Sequence, residues 1–276
     1  MRAQAAGRPP ASRCHEPGKL PVIRNLVSFS GGVGSWAAAK RVAASAGVEG
    51  LVLLFADVKD EDADLYRFLD EAARNIGAPL VRIEDGRTPR QVMSDEGFIG
   101  NTLADMCSRI LKRELLERWI RANCDQQLTT LHIGIDWTEA HRIEAPRRRY
   151  DGWRVEAPMC EPPYLSKAEV LDQLRAEGIR PPRLYEAGFP HNNCGGACVK
   201  AGQAQWALLL RTNPALYREW EEWEESMRTR VGDHSILRDR RGGTTKPLPL
   251  RAFRERLLRK QGHDVNDWGG CGCAIS

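Results

Sequence analysis

Ser30-Gly31-Gly32-Val33-Gly34-Ser35 directly follows a mainly apolar segment, residues 26–29, and opens an alanine-rich helical pattern at residues 36–44. Its three glycines let backbone amides approach an anion without a side-chain clash. The start of the helix adds unpaired N–H donors and a favourable dipole, and the two serine hydroxyls add further donors. This segment therefore predicts a phosphate-binding loop. The alternative is a tight strand-to-helix turn without a ligand.

Short apolar runs alternate with helical patterns from residue 25 onward, which is typical of parallel strands joined by crossover helices. Most of these runs lack polar alternation, as expected of strands covered on both faces. The sequence predicts an α/β fold with a doubly wound, parallel, five-stranded, Rossmann-like sheet. The predicted strands are residues 26–29, 51–56, 80–83, 131–135 and 153–157.

Helical signals complete this pattern and then change in character. Residues 62–76 place their apolar side chains on one face and stop at Gly77, while Ser166 and Glu169 form a capping box. Beyond residue 180 we expect a smaller helical, cysteine-containing C-terminal region. It comprises helices at 199–211 and 214–230, a basic loop at 238–246 and a helix at 251–260. The predicted domains are a disordered tail (1–24), a nucleotide-binding domain (25–180) and the helical region (181–276).

Composition restricts the class of protein. The 276 residues are 42% hydrophobic and 28% charged, which is ordinary for a globular protein. The longest apolar run, residues 51–56, is far too short to cross a membrane, which takes about 20 residues. Eight cysteines without an export signal favour a reducing compartment, so we expect a cytoplasmic protein without a membrane partner. The net charge of +4 fits an anionic ligand as well as a nucleic acid.

Polar residues follow two predicted strands at the edge where ligands of open α/β sheets bind. Asp57 could accept hydrogen bonds from a ribose or an amine, or could cap a helix. Asp136 is followed by Glu139 and Arg142, which lie one helical turn apart and could share a substrate. Asp136, Glu139 and Arg142 are therefore candidate catalytic residues, and His141 is more often structural.

Two close cysteine pairs mark the second half of the chain. Cys194-Gly-Gly-Ala-Cys198 and Cys271-Gly-Cys273 supply four thiolates, which suit either Zn²⁺ or an iron–sulfur cluster. A redox disulfide or unrelated cysteines are the alternatives. His191 and His263 are substitute ligands. Clustered arginines at 147–149 and in the helix at 251–260 could contact a nucleic-acid backbone or form solvated faces.

The loop resembles the phosphate loop of the PP-loop ATP-pyrophosphatase superfamily (adenine nucleotide alpha hydrolase-like), whose commoner form has Asp where this chain has Gly34. The sulfonucleotide reductase branch, which includes phosphoadenylylsulfate (PAPS) reductases, tolerates glycine there. Residues 28–35, 191–196 and 271–273 are similar to segments of reductase-like proteins often carried by phages. The likeness covers about residues 25–273, but the carboxy-terminal Glu-Cys-Gly of PAPS reductases is absent.

This resemblance implies further site residues. Cys107 and the following basic residues are similar to a segment that reductase-like members place near the nucleotide's phosphates, which makes Cys107 a candidate for sulfur chemistry. A solvated helix face at residues 108–122 with an inert cysteine is the alternative. The nucleotide-binding residues that the resemblance implies, together with those of the loop, are Ser28, Ser30, Gly31, Gly32, Gly34, Ser35, Asp57, Arg109 and Lys112.

The function expected from these features is ATP binding with Mg²⁺, followed by adenylation of a substrate and release of pyrophosphate. The adenylated substrate, a small molecule or a nucleic acid, would then receive sulfur from a sulfur donor through Cys107 or a metal cluster. One alternative is a PAPS or APS reductase-like enzyme that acts on an adenylylated sulfate with a thiol reductant. Another is a nucleotide-binding module without catalytic activity. The sequence does not predict the oligomeric state.

Overall fold

The computed structural model of the chain describes residues 22–99 and 106–270. Its main sheet has five strands in the order β3-β2-β1-β4-β5, and every neighbouring pair is parallel. All seven residues of the second strand are buried, as its unbroken apolar sequence predicts. The predicted α/β fold with a doubly wound parallel sheet is confirmed. The strands are β1 (Asn25–Ser28), β2 (Leu51–Asp57), β3 (Leu80–Glu84), β4 (Thr130–Ile133) and β5 (Arg154–Glu156).

Helices connect these strands and continue into the second half of the chain. A π-helix, Arg109–Glu114, joins the fourth and fifth α-helices, and a 3₁₀ segment, Trp137–Ile143, precedes the sixth. The α-helices are α1 (Val33–Ala46), α2 (Ala63–Ile76), α3 (Pro89–Asp95), α4 (Met106–Ser108), α5 (Leu115–Asn123), α6 (Glu144–Arg149), α7 (Lys167–Ala176), α8 (Arg183–Glu186), α9 (Gln203–Thr212), α10 (Pro214–Val231) and α11 (Leu250–Leu258).

Local sequence explains where two of these helices begin and end. The Asp62 side chain accepts a hydrogen bond from the Asp64 amide at 2.9 Å, and Gly77 ends α2 with a φ of 80°. Ser166 and Glu169 form the predicted capping box of α7, with the Glu169 side chain 2.7 Å from the Ser166 amide. Local sequence therefore determines these helix boundaries.

Helices cover both faces of the sheet. Trp36 of α1, Phe68 of α2 and Leu174 of α7 belong to one apolar cluster, which packs on one face. Ile120 of α5 belongs to a second cluster with Leu131 of β4 on the other face. A third cluster joins Val92 of α3 and Leu111 of the π-helix to the large side chains of the C-terminal region, including Trp206, Trp220 and Phe253. The helical region therefore shares a core with the sheet domain.

Three segments differ from the sequence prediction. Ile23 is buried and the Arg24 amide donates to Gly50 O at 2.9 Å, so the folded chain begins before the predicted boundary at residue 25. The predicted basic loop at 238–246 has strands at its ends, β6 (Leu237–Asp239) and β7 (Lys246–Leu248), because Leu237 and Leu248 are both buried. The predicted helix at 108–122 is interrupted by the π-helix Arg109–Glu114.

The π-helix places a charged residue in the protein core. Leu111 and Lys112 are both buried, and the Lys112 ammonium lies 3.5 Å from Oε1 of Glu61, whose side chain is also buried. Helical periodicity alone would place such adjacent residues on different sides of the helix, and the wider turn lets both face the core.

Within the described residues, no helix is both long and apolar enough to cross a membrane.

Candidate functional site

A cleft of about 760 Å³ opens at the carboxyl ends of β1 and β4, where the strand order reverses. Ligands of open α/β sheets bind at this position, and the volume falls in the range of about 300–1,000 Å³ usual for small-molecule sites. The loops that follow the two strands are packed tightly together. A β-carbon at Gly134 would lie 2.9 Å from Ser35 Cα, so only glycine fits there.

The predicted phosphate loop forms the floor of this cleft. Gly31 has a φ of +76°, and the Ser35 hydroxyl donates to Gly32 O at 2.7 Å. Helix α1 starts at Val33 without a side-chain cap and without an acidic residue in its first turn. Within the described residues, no group accepts a hydrogen bond from the amides of residues 31–35. These amides and the dipole of a 14-residue helix favour an anion.

The structure brings seven of the predicted site residues to this cleft. Four belong to the loop and three follow β4, although they are separated by about a hundred positions in the sequence. These residues are Ser30, Gly32, Gly34, Ser35, Asp136, Glu139 and Arg142.

The three residues after β4 already contact one another or their neighbours. Asp136 Oδ1 accepts hydrogen bonds from the Thr138 amide at 2.8 Å and from its hydroxyl at 2.5 Å. The Arg142 guanidinium lies 2.7 Å from both carboxylate oxygens of Glu139. Glu139 is about half exposed, and an ion pair in this setting is held weakly enough for a ligand to replace it.

Lys167 is a cleft residue that the sequence analysis missed. Its ammonium donates to Pro190 O and lies 4.8 Å from the centre of the Tyr185 ring. The residue as a whole is exposed, but burial of the ammonium end lowers its pKa, and the carboxylates of Asp136 and Glu139 oppose that change. In the sequence, Lys167 is recognisable only as the first residue of a capped helix, and that position does not indicate a ligand.

Asn192 forms a second wall of the cleft. It is buried, and its Nδ2 donates to Gly31 O at 3.3 Å, which ties the segment before the cysteine pair to the phosphate loop. Its Oδ1 is buried and has no hydrogen-bond partner among the described residues. Because an unpaired buried polar atom is costly, this oxygen indicates a place for a ligand donor or an ordered water.

The far end of the described chain closes the same cleft. Gly269 forms an antiparallel bridge with Ala201, and the Gly270 amide donates to Lys200 O at 3.1 Å. Trp268 and Lys200 line the cleft as a result. No sequence motif points to this segment, because the pairing joins residues that carry none.

Several predicted nucleotide-binding residues lie elsewhere. The Asp57 carboxylate is fully buried and accepts hydrogen bonds from Tyr66 Oη at 3.0 Å and Arg82 Nε at 2.9 Å. Arg109 is paired with Glu114 at 3.6 Å on the surface of the π-helix. Lys112 is paired with Glu61, and neither Ser28 nor Gly31 lines the cleft. The nucleotide-binding role of these residues stays a prediction.

The cysteines are only partly within the described residues. Cys194 and Cys198 are buried in the C-terminal core, and Cys107 packs against the same cluster. Cys194 has a φ of +51°, and its amide donates to Glu61. Cys271 and Cys273 lie outside the described residues, within which no three His, Cys, Asp or Glu side chains are grouped to hold a metal. The four-thiolate site stays a prediction.

No family model matches the sequence, and no curated protein does. Among solved structures, the chain is similar to phosphoadenylyl-sulfate (PAPS) reductase from Candida auris in a phosphate complex. The identity is 12%, covering 61% of this chain and 79% of that chain, with a TM-score of 0.42. It is also similar to NH3-dependent NAD synthetase from Campylobacter jejuni, with 12% identity, 75% and 82% coverage and a TM-score of 0.39. Likenesses this distant identify neither a substrate nor a reaction.

Proposed function

We propose that this chain is a PP-loop enzyme that binds ATP at residues 30–35 and transfers the adenylyl group to a second substrate. The observation that carries the proposal is the row of amides at residues 32–35, which have no acceptor among the described residues and belong to residues that line the cleft. Such a row is suited to the polyphosphate of a nucleotide. The resemblance of this loop to the PP-loop supports the same conclusion.

The reaction needs mainly positioning and charge neutralisation. A substrate oxygen attacks the α-phosphorus, the bond from that phosphorus to the bridging oxygen breaks, and pyrophosphate leaves while the oxygen loses its proton. The loop amides hold the phosphates, and Lys167 supplies a positive charge in the same cleft. Arg142 can exchange Glu139 for the developing negative charge, because the Glu139 side of their ion pair is about half exposed.

Magnesium fits the residues present. Asp136 uses Oδ1 for Thr138, and no described residue hydrogen-bonds to its Oδ2. Carboxylate oxygens are the protein ligands that Mg²⁺ prefers, so Asp136 would hold the ion, with Glu139 nearby. The ion would neutralise charge on the phosphates.

The role of sulfur extends this proposal. Cys194 and Cys198 supply two of the four thiolates that would hold zinc or an iron–sulfur cluster, and the Glu61 carboxylate fixes the turn between them through the Cys194 amide. A sulfide-level sulfur nucleophile from a sulfur donor would attack the adenylated carbon, forming the carbon–sulfur bond as the carbon–oxygen bond breaks and AMP leaves. Cys107 packs against the same core. We propose sulfur transfer as the step that follows adenylation.

One observation favours a second candidate, a PAPS or APS reductase-like activity. The loop has Gly34 in the place of the usual Asp, and a β-carbon there would already contact Gly134 O at 3.4 Å. The loop therefore follows the glycine-tolerant reductase pattern. In that case the bound nucleotide is the adenylylated sulfate itself, and a thiol reductant supplies the electrons that release sulfite.

The test begins with isothermal titration of ATP and Mg²⁺ into the wild-type chain and into Gly32→Asp. A β-carbon at Gly32 would lie 3.2 Å from Tyr185 Oη, and the carboxylate would repel phosphate, so binding should be lost. Val48→Asp places the same charge on an exposed residue away from the cleft and should bind ATP normally. Equal affinity in Gly32→Asp would refute the proposal.

Products then separate the candidates. With water as a slow acceptor, an adenylating enzyme forms AMP and pyrophosphate from ATP. A sulfonucleotide reductase instead releases sulfite from an adenylylated sulfate in the presence of dithiothreitol. ATP binding with neither product would leave a binding module without catalytic activity.

A further inference from the structure

The exposed aromatic side chains of this chain are concentrated at one place. Among the described residues, the large aromatic side chains that are exposed are Trp137, Tyr164 and Trp268. Trp137 precedes Thr138 and Tyr164 precedes Leu165, and both following residues line the cleft, as Trp268 itself does. Exposed aromatic rings grouped in this way usually mark a binding surface.

Two of these rings form a fixed pair. The Trp137 and Tyr164 ring centres lie 5.7 Å apart, and Trp137 Nε1 donates to Leu165 O at 3.1 Å. The segment that carries Tyr164 is held from the other side by Arg41, whose guanidinium donates to Pro158 O and Glu161 O at 2.7 Å each. The pair is therefore exposed without being loose, and a planar ligand could stack on it at little entropic cost.

A second cavity of about 780 Å³ lies on the other side of the Trp137–Ile143 segment. Glu139 and Arg142 of this segment face the first cleft, whereas Ala140 and Ile143 line the second cavity together with Arg147. The aromatic pair thus lies on a strip of surface between the two cavities, formed by residues 137–148 and Tyr164. A ligand that occupies both must be extended, which favours a polymer over a single small molecule.

The charge along this strip suits a polyanion. Arg147 is about half exposed, and its one ion-pair partner among the described residues is Glu144, at 3.0 Å and one helical turn away. Arg148 is exposed and has no ion-pair partner among the described residues. Exposed pairs of this kind are weak, so phosphates can replace the glutamate. Arginines that follow aromatic rings are the usual arrangement for single-stranded nucleic acid.

We propose that the aromatic pair and the arginines of α6 bind single-stranded nucleic acid and present one of its bases to the cleft. This inference rests on the proposed function, for which it names the class of the second substrate. Bases stack on Trp137 and Tyr164, while Arg147 and Arg148 contact the phosphates. Trp268, which lines the cleft, contacts the presented base.

Fluorescence anisotropy with a labelled single-stranded 12-mer tests this, using the full chain and both RNA and DNA forms. We expect Tyr164→Ala, which removes a half-exposed ring, to weaken binding by roughly five- to a hundredfold, the range for loss of one stacked base. Arg148→Ala should lower the salt dependence by about 0.7 in the slope of log affinity against log salt. Leu258→Ala and Arg175→Ala, both exposed outside this strip, are the matched controls.

The results separate this inference from the proposed function, because ATP binding is measured on the same preparations. Wild-type chain that binds ATP but not the 12-mer would overturn the inference alone, as would unchanged affinity in both Tyr164→Ala and Arg148→Ala. Displacement of the 12-mer by UMP at an equal concentration would also overturn it, since the site would then take a single nucleotide. Binding of the 12-mer without ATP binding would instead refute the proposed function.

Discussion

Gly134 faces Ser35 so closely that a β-carbon at position 134 would approach Ser35 Cα to 2.9 Å. The two residues follow neighbouring parallel strands, β4 and β1, at the point where the strand order reverses. This contact holds the start of α1 against the loop that carries Asp136. The geometry of the phosphate loop thus depends on a glycine far from it in sequence.

Gly134→Ala should therefore distort the phosphate loop. Overpacking of this kind costs about 1–3 kcal/mol of the free energy of unfolding, and ATP binding should weaken with it. Urea unfolding and ATP titration measure the two effects. Gly270→Ala adds the same methyl group where no atom of the described residues lies within 4 Å, and it should leave the free energy of unfolding unchanged. Equal stability of Gly134→Ala and the wild type would contradict the packing argument.

Lys167 should contribute to anion binding. Loss of a charge-assisted contact costs about 1.5–3 kcal/mol, so Lys167→Met should bind ATP roughly ten- to a hundredfold more weakly. Lys246→Met removes an exposed lysine from β7 and serves as the control.

The pH dependence adds a second test of Lys167. Because burial lowers the pKa of this ammonium, its charge is lost at a lower pH than that of an exposed lysine. ATP affinity should fall as the pH rises into the alkaline range, and Lys167→Arg, which stays charged, should flatten that fall. The same alkaline profile in wild type and Lys167→Arg would argue against a role for this ammonium.

Much of the sheet, and the part of the cleft formed by the phosphate loop, could be predicted from local sequence. Unbroken apolar runs such as Leu51–Asp57 fix the strands, and the glycines at 31, 32 and 34 fix the loop. Because parallel strands deliver their carboxyl ends to one edge, Asp136 could be placed beside the loop without a structure. Its position needed only the order of elements along the chain.

The remaining features depend on contacts that no local pattern encodes. Asp57 ends a strand at the expected edge, yet Arg82 of the neighbouring strand and Tyr66 of α2 engage its carboxylate. Lys167 reaches the cleft because α7 packs on α1, and Asn192 does so through one hydrogen bond to Gly31. Such residues are selected by tertiary packing, and their sequence neighbours resemble ordinary caps and turns.

Glu224 should make stability depend on pH. Burial raises the pKa of its carboxyl to about 7 from an ordinary value of 4.5, although the amides of Ile236 and Leu250 donate to it. The folded protein therefore keeps a proton that the unfolded chain releases between these two values. As a result the free energy of unfolding falls as the pH rises from 4.5 to 7, by at most about 3 kcal/mol from this group.

Urea unfolding at several pH values tests this. Glu224→Gln should lose that slope, and it should be less stable throughout because its amide nitrogen meets backbone N–H donors. Glu222→Gln, an exposed position on the same helix, should keep the wild-type slope. A wild-type slope in Glu224→Gln would assign the pH dependence to another group.

The cysteine pairs lead to a prediction about metal content. Anaerobically purified wild-type chain should contain bound iron or zinc, because four thiolates suit either. Cys194→Ser and Cys271→Ser should each lose the metal, since a thiolate is missing from the set. Cys124→Ser is the matched control: burial raises the pKa of the Cys124 thiol to about 11, so it stays protonated and is a poor ligand.

Elemental analysis with a visible spectrum measures the outcome. Broad visible absorbance with stoichiometric iron, lost in both pair variants and kept in Cys124→Ser, would identify a cluster. One tightly held zinc in a colourless protein would identify a structural site instead. Glu61→Gln adds a further check, because Glu61 holds the Cys194 turn through its backbone amide, and a loosened turn should release the metal more readily to a chelator. Metal that persists in Cys194→Ser, or wild-type chain without metal, would contradict the four-thiolate site.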